Sequence, residues 1–561
     1  MQVSINNNVV AIQTAYSQKD RCTAIPGGRW NPQNKTWDYM LSPATASTML
    51  QVWGKSFPDE ARPLFEDLAS RLVMAQAVKN EVVDLIVPKG KMAPWRHQLI
   101  AYNMAIQLFG LRDPYGLPLE NFGGGALLAL DMGCGKSRVT VDLISNHQRQ
   151  LRKNLIVCPH SVVPVWTGSD TRPGQFDIHA LHEDRKCMEI VRLDSGSLEK
   201  KTQIAQQAFT RAERYGRQFI CVINYESVWR EPFASWALKL GWDLGAGDEI
   251  HRIKSPGGKA SKFFDKLARK AKCRLGLSGT PLPHSPVDVY GQYRFLDPGI
   301  FGTSFGNFRS DYCVMGGFQG HQVLNFKNLD QLQAKMYLIA YRVMSDDVFD
   351  LPEFVDSYKE FDLSSHERKI YDEMDQEFCV QVKDDIITAD NAMVKLLRLQ
   401  QVTSGHIDGI PVGDSKKKIL ADTLEDLPIK EPVVVFARFT ADLQAVREVC
   451  QEQGRSYAEL SGESKELEIW QNGGADILGV QIQSGKEGVD FTRARYNIYF
   501  SLGYSLGDYN QSRKRSRRPG QNQSGFYIHL VASRSVDSKI IKALENKEEI
   551  VESVLRQYKD S

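Results

Sequence analysis

One short turn constrains this chain more than anything else in it. The unbroken apolar run Ala126-Leu-Leu-Ala-Leu130 leads straight into Asp131-Met-Gly-Cys-Gly-Lys-Ser137, and an apolar-periodic helix follows from Val139. Such a run predicts a buried strand, and a strand, a glycine-rich turn and a helix N-terminus in succession make an anion site. Glycines let backbone N–H groups approach phosphate oxygens, while the aligned peptide dipoles of the helix favour negative charge. In that arrangement Gly133, Cys134 and Gly135 line the cradle, Lys136 neutralises the β- and γ-phosphates, and the Ser137 hydroxyl ligates Mg2+. Leu130 stands where the strict pattern GxxxxGK[ST] has its first glycine.

About 110 residues further on comes Asp248-Glu249-Ile250-His251. An Asp-Glu pair at a strand end lets Asp248 hold the Mg2+ shell while Glu249 orients or deprotonates an attacking water. A surface acidic pair at a helix start is the plainer alternative. The preceding residues, Leu244-Gly245-Ala246-Gly247, are poor strand formers, so the expectation is a loosened strand beneath the acids. Leu277-Ser278-Gly279-Thr280-Pro281 is the third element. A strand ending in small hydroxyl residues and a proline-fixed turn suits a coupler between the nucleotide site and a neighbouring lobe, although alone it is an ordinary turn.

The remaining composition sets bounds. At 561 residues the chain has room for three or four units, and 42% hydrophobic with 25% charged residues describes a globular protein. No apolar stretch reaches the roughly 20 residues of a membrane helix, and Met1–Val10 lacks the layout of a secretory signal. Nine cysteines, scattered singly, fit free thiols in a reducing cytoplasm rather than a zinc site. Net charge is only +2, so the whole-chain balance is silent about nucleic acid. Locally, Arg513-Lys514-Arg515-Ser516-Arg517-Arg518 is the densest basic run, by itself a solvated nucleic-acid or targeting patch.

Short apolar runs alternate with helical patterns, which predicts parallel α/β sheets. Strands are expected at Ala126–Leu130, Leu155–Val157, Phe219–Ile223, Leu275–Leu277, Val433–Phe436, Ile477–Gln481 and Ile498–Phe500. They fall into two sets separated by a stretch expected to be mostly helical, with loops at Gly299–Gly306 and Gly316–Gly320. A compact aromatic module, Ile25-Pro-Gly-Gly-Arg-Trp30 with Trp37, precedes them, and Ser535–Tyr558 has the spacing of a docked C-terminal helix.

In their order, G-C-G-K-S, D-E-I-H and L-S-G-T-P resemble motifs I, II and III of superfamily 2 helicase-like ATPases, and further segments resemble the SNF2-like branch. Pro94-Trp-Arg-His-Gln98 is similar to the motif whose glutamine reads adenine, which implies that role for Gln98. Ile156-Val-Cys-Pro-His160 with Trp166 resembles motif Ia, a DNA-strand contact in the family. Tyr341-Arg-Val-Met with Leu351-Pro352 is similar to the stretch leading into the second lobe. Val434–Arg438 resembles motif IV, and Gly485–Thr492, with Gly488 and Asp490 as nucleotide-binding positions, resembles motif V. Gln511–Gln521 resembles the motif VI pattern Q-x-x-x-R-x-x-R-x-G-Q, which puts Arg515 and Arg518 at the arginine-finger positions. Arg513, Lys514 and Arg517 depart from that pattern by adding positive charge. More weakly, Pro26–Trp37 resembles the HARP module of annealing helicases.

What the resemblance implies is two tandem RecA-like lobes with parallel sheets, a helical insertion and a small α+β N-terminal module. The boundaries it suggests are a module at 1–75, a first lobe at 76–298, an insertion at 299–355, a second lobe at 356–530 and a terminal helix at 531–561. It implies ATP and Mg2+ as ligands, with Lys136, Ser137, Asp248 and Glu249 on one lobe and Arg515 and Arg518 on the other completing the site on closure. The implied activity is a monomeric, DNA-stimulated ATPase tracking on duplex or branched DNA, in the cytoplasm of a bacterial or phage-infected cell. A strand-separating helicase and a DNA-binding regulator with a decayed ATPase are the alternatives.

Overall fold

The computed structural model describes residues 1–6, 8–111, 122–168, 172–317, 322–384, 389–484 and 489–555, with 377–384, 389–393 and 552–555 as backbone only. The chain folds as two units, Met1–Val348 and Phe349–Ile550.

The first unit is built on a seven-stranded sheet. In spatial order the strands are Ala340–Val343, Gly124–Leu130, Ala271–Leu277, Trp242–Asp248, Lys153–Cys158, Gln218–Asn224 and Met188–Leu193, all parallel. Central strands covered by helices on both faces must be apolar on both, which is why Ala126–Leu130 and Phe219–Ile223 read as unbroken hydrophobic runs. The helix Arg96–Phe109 lies against Gly124–Leu130, and Leu198–Arg214 covers Met188–Leu193 and Gln218–Asn224.

Trp242–Asp248 corrects the expectation of a loosened strand. It is a regular, fully buried strand with its neighbours in register on both sides. Its glycines answer a packing demand. A Cβ on Gly247 would lie 2.4 Å from Ile250 Cδ1, 3.1 Å from the Tyr225 hydroxyl and 3.3 Å from Phe264, and one on Gly245 would crowd Ala271 and Leu267. Helix-borne aromatic rings press onto the strand where side chains would otherwise stand, so the apolar bulk comes from the neighbours.

The stretch expected to be mostly helical holds the helices Phe305–Tyr312, Leu329–Met336, Ser365–Asp384 and Ala389–Thr403, and strands as well. Within it lie the hairpin Cys313–Gly316/Gln322–Phe326, the strand Ala340–Val343 at the edge of the first sheet, and Phe354–Phe361 in the second unit's sheet. Residues Gly299–Gly306, expected as a loop, contain parts of the helices Pro298–Phe301 and Phe305–Tyr312, and residues 318–320 of the other expected loop lie outside the described residues.

An N-terminal module with the antiparallel order Gln2–Asn6, Val9–Gln13, Thr36–Met40, Arg29–Asn31 packs with the helix Pro43–Trp53 around Val10, Ile12, Tyr39, Met49, Trp53 and Phe65. Its core is therefore not made by Trp30, which is 51% exposed and lies 5.7 Å from the Trp37 ring. The module is anchored within the first unit, where Ser42 Oγ donates to the buried Asp297 Oδ1 at 2.8 Å. Gly27 passes so close to Pro298 that a Cβ would sit 2.9 Å from its carbonyl oxygen.

The second unit has six parallel strands in the order Phe354–Phe361, Gly525–Ala532, Tyr496–Tyr499, Val433–Ala437, Ile477–Gln481, Tyr457–Leu460. Val433, Val435, Ile477 and Ile498 pack with Leu420, Val446 and Val449 from the helices Ser415–Glu425 and Thr440–Glu452. The C-terminal helix starts at Val536 and buries Val536, Ile540 and Leu544. Among the described residues no helix is long and apolar enough to cross a membrane.

Candidate nucleotide site and arginine helix

Register brings the first unit's three elements together. Gly124–Leu130, Ala271–Leu277 and Trp242–Asp248 are adjacent, and Leu277 lies opposite both Leu128 and Asp248. The glycine-rich turn, Ser278 and the acidic pair consequently leave the same carboxyl edge of the sheet, where open α/β sheets bind ligands.

The turn has the backbone that a candidate anion cradle needs. Gly133 and Gly135 adopt positive φ of 83° and 89°, a conformation glycine takes without strain, and Lys136 then starts the helix Lys136–Asn146. Lys136 Nζ donates to the carbonyls of Leu130 (2.9 Å) and Asp131 (3.4 Å), which parks the ammonium over the cradle. Ser137 is half-buried at the first turn of the helix. Cys134 is buried, and its carbonyl receives Gln98 Nε2 at 3.2 Å and lies 2.9 Å from His97 Nε2. Gln98 Oε1 accepts from Trp95 N–H, so the Gln98 amide is held at both ends, one on the cradle and one on the N-terminus of its own helix. Beside His97 opens a cavity of about 450 Å³ lined also by Lys79, Glu81, Tyr341, Arg342 and Asp347.

Asp248 is buried and tightly set. Its Oδ2 accepts the Trp166 indole N–H at 3.0 Å, its Oδ1 accepts the Glu249 N–H at 3.1 Å, and its backbone carbonyl receives the Tyr225 hydroxyl at 2.9 Å. Burial, reinforced by the neighbouring Glu249 carboxylate, raises its pKa, with Lys136 opposing. Trp166 is wholly buried, so this part of the motif Ia segment serves the acid and not a DNA strand. Glu249 takes a positive φ of 53°, and its Oε2 is buried with no hydrogen-bond partner among the described residues. His251 Nδ1 is 3.4 Å from that oxygen and 3.0 Å from Ser278 Oγ, which in turn accepts the Thr280 N–H. Burial holds His251 down at about 4, so it is neutral and its contact with Glu249 is not an ion pair at neutral pH. The histidine and the Ser278–Thr280 turn are thus hydrogen-bonded together, with the acid in contact with the ring.

In the second unit, Arg515 and Arg518 lie at the end of the helix Leu506–Ser516 and just beyond it. Arg515 is buried, with Nη1 donating to the Val489 carbonyl at 3.4 Å; Arg518 faces Asp490 at 3.9 Å. Asp490 Oδ1 accepts the Thr492 N–H and hydroxyl, which stiffens the turn at the motif V position. Gly485 and Gly488 lie outside the described residues. The expectation that Arg513 and Arg517 simply add charge to the site is corrected: Arg513 is paired with Asp356, and Arg517 Nε donates to the Pro352 carbonyl.

Four supports were not legible as such: Tyr225 and Ser345 carried no signal, while Trp166 and Val343 lay in segments quoted for other roles and here serve Asp248 and the cradle. Asp131 N–H donates to the Val343 carbonyl, and the Ser345 N–H donates to Asp131 Oδ2. Only the edge strand Ala340–Val343, unseen in the sequence, brings Val343 and Ser345 into place.

Comparison with known proteins follows the same lines. The SNF2-related domain family matches residues 46–406. A putative protein p41 of Acyrthosiphon pisum secondary endosymbiont phage 1 is 26% identical over 61% of this chain and 77% of its own length. A mouse SWI/SNF-related matrix-associated actin-dependent regulator of chromatin, subfamily A member 1, is 25% identical over 87% of this chain. The bovine DNA annealing helicase and endonuclease ZRANB3 is 25% identical over 56%. The chain spans only 46% and 30% of these two mammalian relatives. The solved Sulfolobus solfataricus SWI2/SNF2 ATPase core in complex with dsDNA covers 84% of this chain and 95% of its own, at 18% identity and a TM-score of 0.37. With the family match running through well over half of its length, the chain belongs to the SNF2-related domain family and is an ATP-hydrolysing enzyme with two parallel α/β lobes.

Proposed function

We propose that the protein is a DNA-stimulated ATPase that turns hydrolysis into movement along duplex or branched DNA, remodelling forks, annealing strands or displacing bound protein. The observation that carries it is the meeting of Lys136, Asp248 and Glu249 at one sheet edge, with a buried Glu249 oxygen left unbonded for a water. Lys136 exchanges its two carbonyl partners for phosphate oxygens. Glu249 holds and deprotonates the attacking water, and neutral His251 passes its setting to the Ser278–Thr280 turn. Asp248 and Ser137 supply hard oxygen ligands that fit Mg2+, held against Trp166 on one side. Bound Mg2+ would neutralise charge on the phosphates. Arg515 and Arg518 are the proposed γ-phosphate arginines, Gly488 and Asp490 the proposed motif V contacts, the cavity beside His97 the proposed adenine seat, and Gln98 the proposed adenine reader, its amide exchanging the Trp95 and Cys134 partners for the base.

The DNA reading is supported by family membership and by the relative named a DNA annealing helicase. Exposed Trp30 with Arg29 on the N-terminal module is the proposed contact for unpaired bases, in keeping with the HARP-like segment. A monomeric motor in a bacterial or phage-infected cell fits the likeness to the phage protein. Strand separation is a second reading, favoured by the hairpin Cys313–Phe326, whose Val314, Val323 and Leu324 are exposed.

Triplex displacement and unwinding of a forked duplex, run side by side with ATP, test the proposal. Displacement of a third strand without unwinding supports tracking on duplex; unwinding with Leu324→Ser-sensitive rate supports the second reading. Neither activity on any DNA would remove the motor proposal.

A further inference from the structure

The charged departures in motif VI have partners. Arg513 makes two parallel hydrogen bonds to Asp356, Nη1 to Oδ1 at 2.7 Å and Nη2 to Oδ2 at 2.8 Å. Its guanidinium lies over the rings of Tyr527 at 4.3 Å and Tyr509 at 5.2 Å, donates to the Tyr509 hydroxyl at 2.7 Å, and its own carbonyl accepts the Tyr527 hydroxyl. Four residues on, Arg517 Nε donates to the Pro352 carbonyl at 2.9 Å. A guanidinium already forked onto a carboxylate and stacked between rings has little left for a DNA phosphate, so a solvated nucleic-acid patch does not describe Arg513.

The partners share a location. Pro352 and Asp356 stand at the start of the second unit, Asp356 on its edge strand Phe354–Phe361. Arg513 and Arg517 stand two residues either side of Arg515, and Arg518 follows Arg517 directly. The helix that carries them is also fixed to the strand Tyr496–Tyr499, where Ser512 meets the Tyr499 hydroxyl at 2.7 Å and Ser516 Oγ donates to Asn497 Oδ1 at 2.5 Å. From this geometry we infer that Arg513 and Arg517 are positioning residues that clamp the entry segment Pro352–Asp356 to the arginine helix, so that Arg515 and Arg518 move with the polypeptide entering the lobe. The inference rests on the proposed role of Arg515 and Arg518 at the γ-phosphate.

A carboxylate-to-amide change at Asp356 keeps its shape and removes the ionic half of the fork. In the full chain, Asp356→Asn should lower duplex-stimulated kcat about 10- to 100-fold, as for a misplaced reacting group, and leave KM for ATP within about 2-fold. Made in an Arg518→Lys background, it should change kcat by no more than about 2-fold, because residues acting as a unit are not additive. Arg517→Ala, which keeps the Asp356 pair and removes the Pro352 bond, should show the same non-additivity with a smaller loss, and it decides the matter if Asp356→Asn does not fold. An unchanged kcat in folded Asp356→Asn and Arg517→Ala, or losses that multiply with that of Arg518→Lys, would overturn the clamp while sparing the arginine assignment. Full activity in Arg518→Lys and Arg518→Ala would instead overturn that assignment and the clamp with it.

Discussion

The two halves of the candidate machinery are held by opposite means. At the first unit's sheet edge, Asp248 and Glu249 are fixed by burial, by the indole and amide N–H donors on Asp248, and by a histidine kept neutral. At the second unit's arginine helix, fixation runs through charge: Arg513 on Asp356, Arg518 near Asp490, and guanidinium faces on tyrosine rings. A desolvated acid is strongly perturbed and poised for chemistry; a paired arginine has its charge ready but already balanced. A change in charge should therefore matter most in the first region through reactivity, and in the second through position.

The largest effect is expected at Glu249. Glu249→Gln keeps the size of the side chain and removes the base, so kcat should fall about 100- to 10,000-fold with ATP affinity little altered. Single-turnover phosphate release checks this, and a loss below about 10-fold would mean that burial of Glu249 is structural only. Next is Trp166→Phe, which deletes the N–H donor and keeps an aromatic ring, at the cost of part of the buried indole's volume. We expect kcat to drop and half-saturating Mg2+ to rise by about 10-fold or more, the usual cost of losing an outer-shell donor to a metal ligand. A Mg2+ titration of ATPase rate reads both.

Legibility followed the same division. The cradle, the acids and motif VI were readable because their chemistry demands particular residue types at particular spacings. Strands buried on both faces, such as Ala126–Leu130 and Val433–Phe436, announced themselves as unbroken apolar runs. Trp242–Asp248 did not, because its bulk is lent by Phe264, Ile250 and Tyr225 from elsewhere in the chain. Phe354–Phe361 alternates between half-buried and exposed residues over much of its length, as an edge strand does, and Ala340–Val343 is only four residues long, so neither read as a strand. The pairing of Arg513 with Asp356 spans 157 residues, and no local pattern encodes it.

Protonation distinguishes the second unit as well. His529 is stacked on Tyr499 and Tyr358, lies 3.0 Å from the Tyr509 hydroxyl through Nε2, and is held by burial at about 4 instead of 6.5. The folded state therefore binds fewer protons than the unfolded chain between those values. Its contribution to stability is complete above pH 6.5, is lost progressively as pH falls toward 4, and amounts to at most about 3 kcal/mol. Urea unfolding across that window should show the loss, and His529→Phe should flatten it; an unchanged slope would mean that His529 is protonated in the fold.

The smallest effect expected is in the acid strand's packing. Gly247→Ala puts a methyl 2.4 Å from Ile250 Cδ1, and overpacking of this kind costs about 1–3 kcal/mol. A lowered Tm with kcat nearly retained is the expected pattern, and a variant as stable as the parent would contradict the account of why this strand is glycine-rich.

The most direct measurement is steady-state phosphate release from ATP and Mg2+, with and without duplex DNA, for the parent chain and Lys136→Ala. The account predicts slow release without DNA, a rise of about 10-fold or more with it, and loss of hydrolysis in Lys136→Ala with DNA binding retained. Release that is unaffected by duplex DNA, or a Lys136→Ala rate equal to that of the parent, would contradict it.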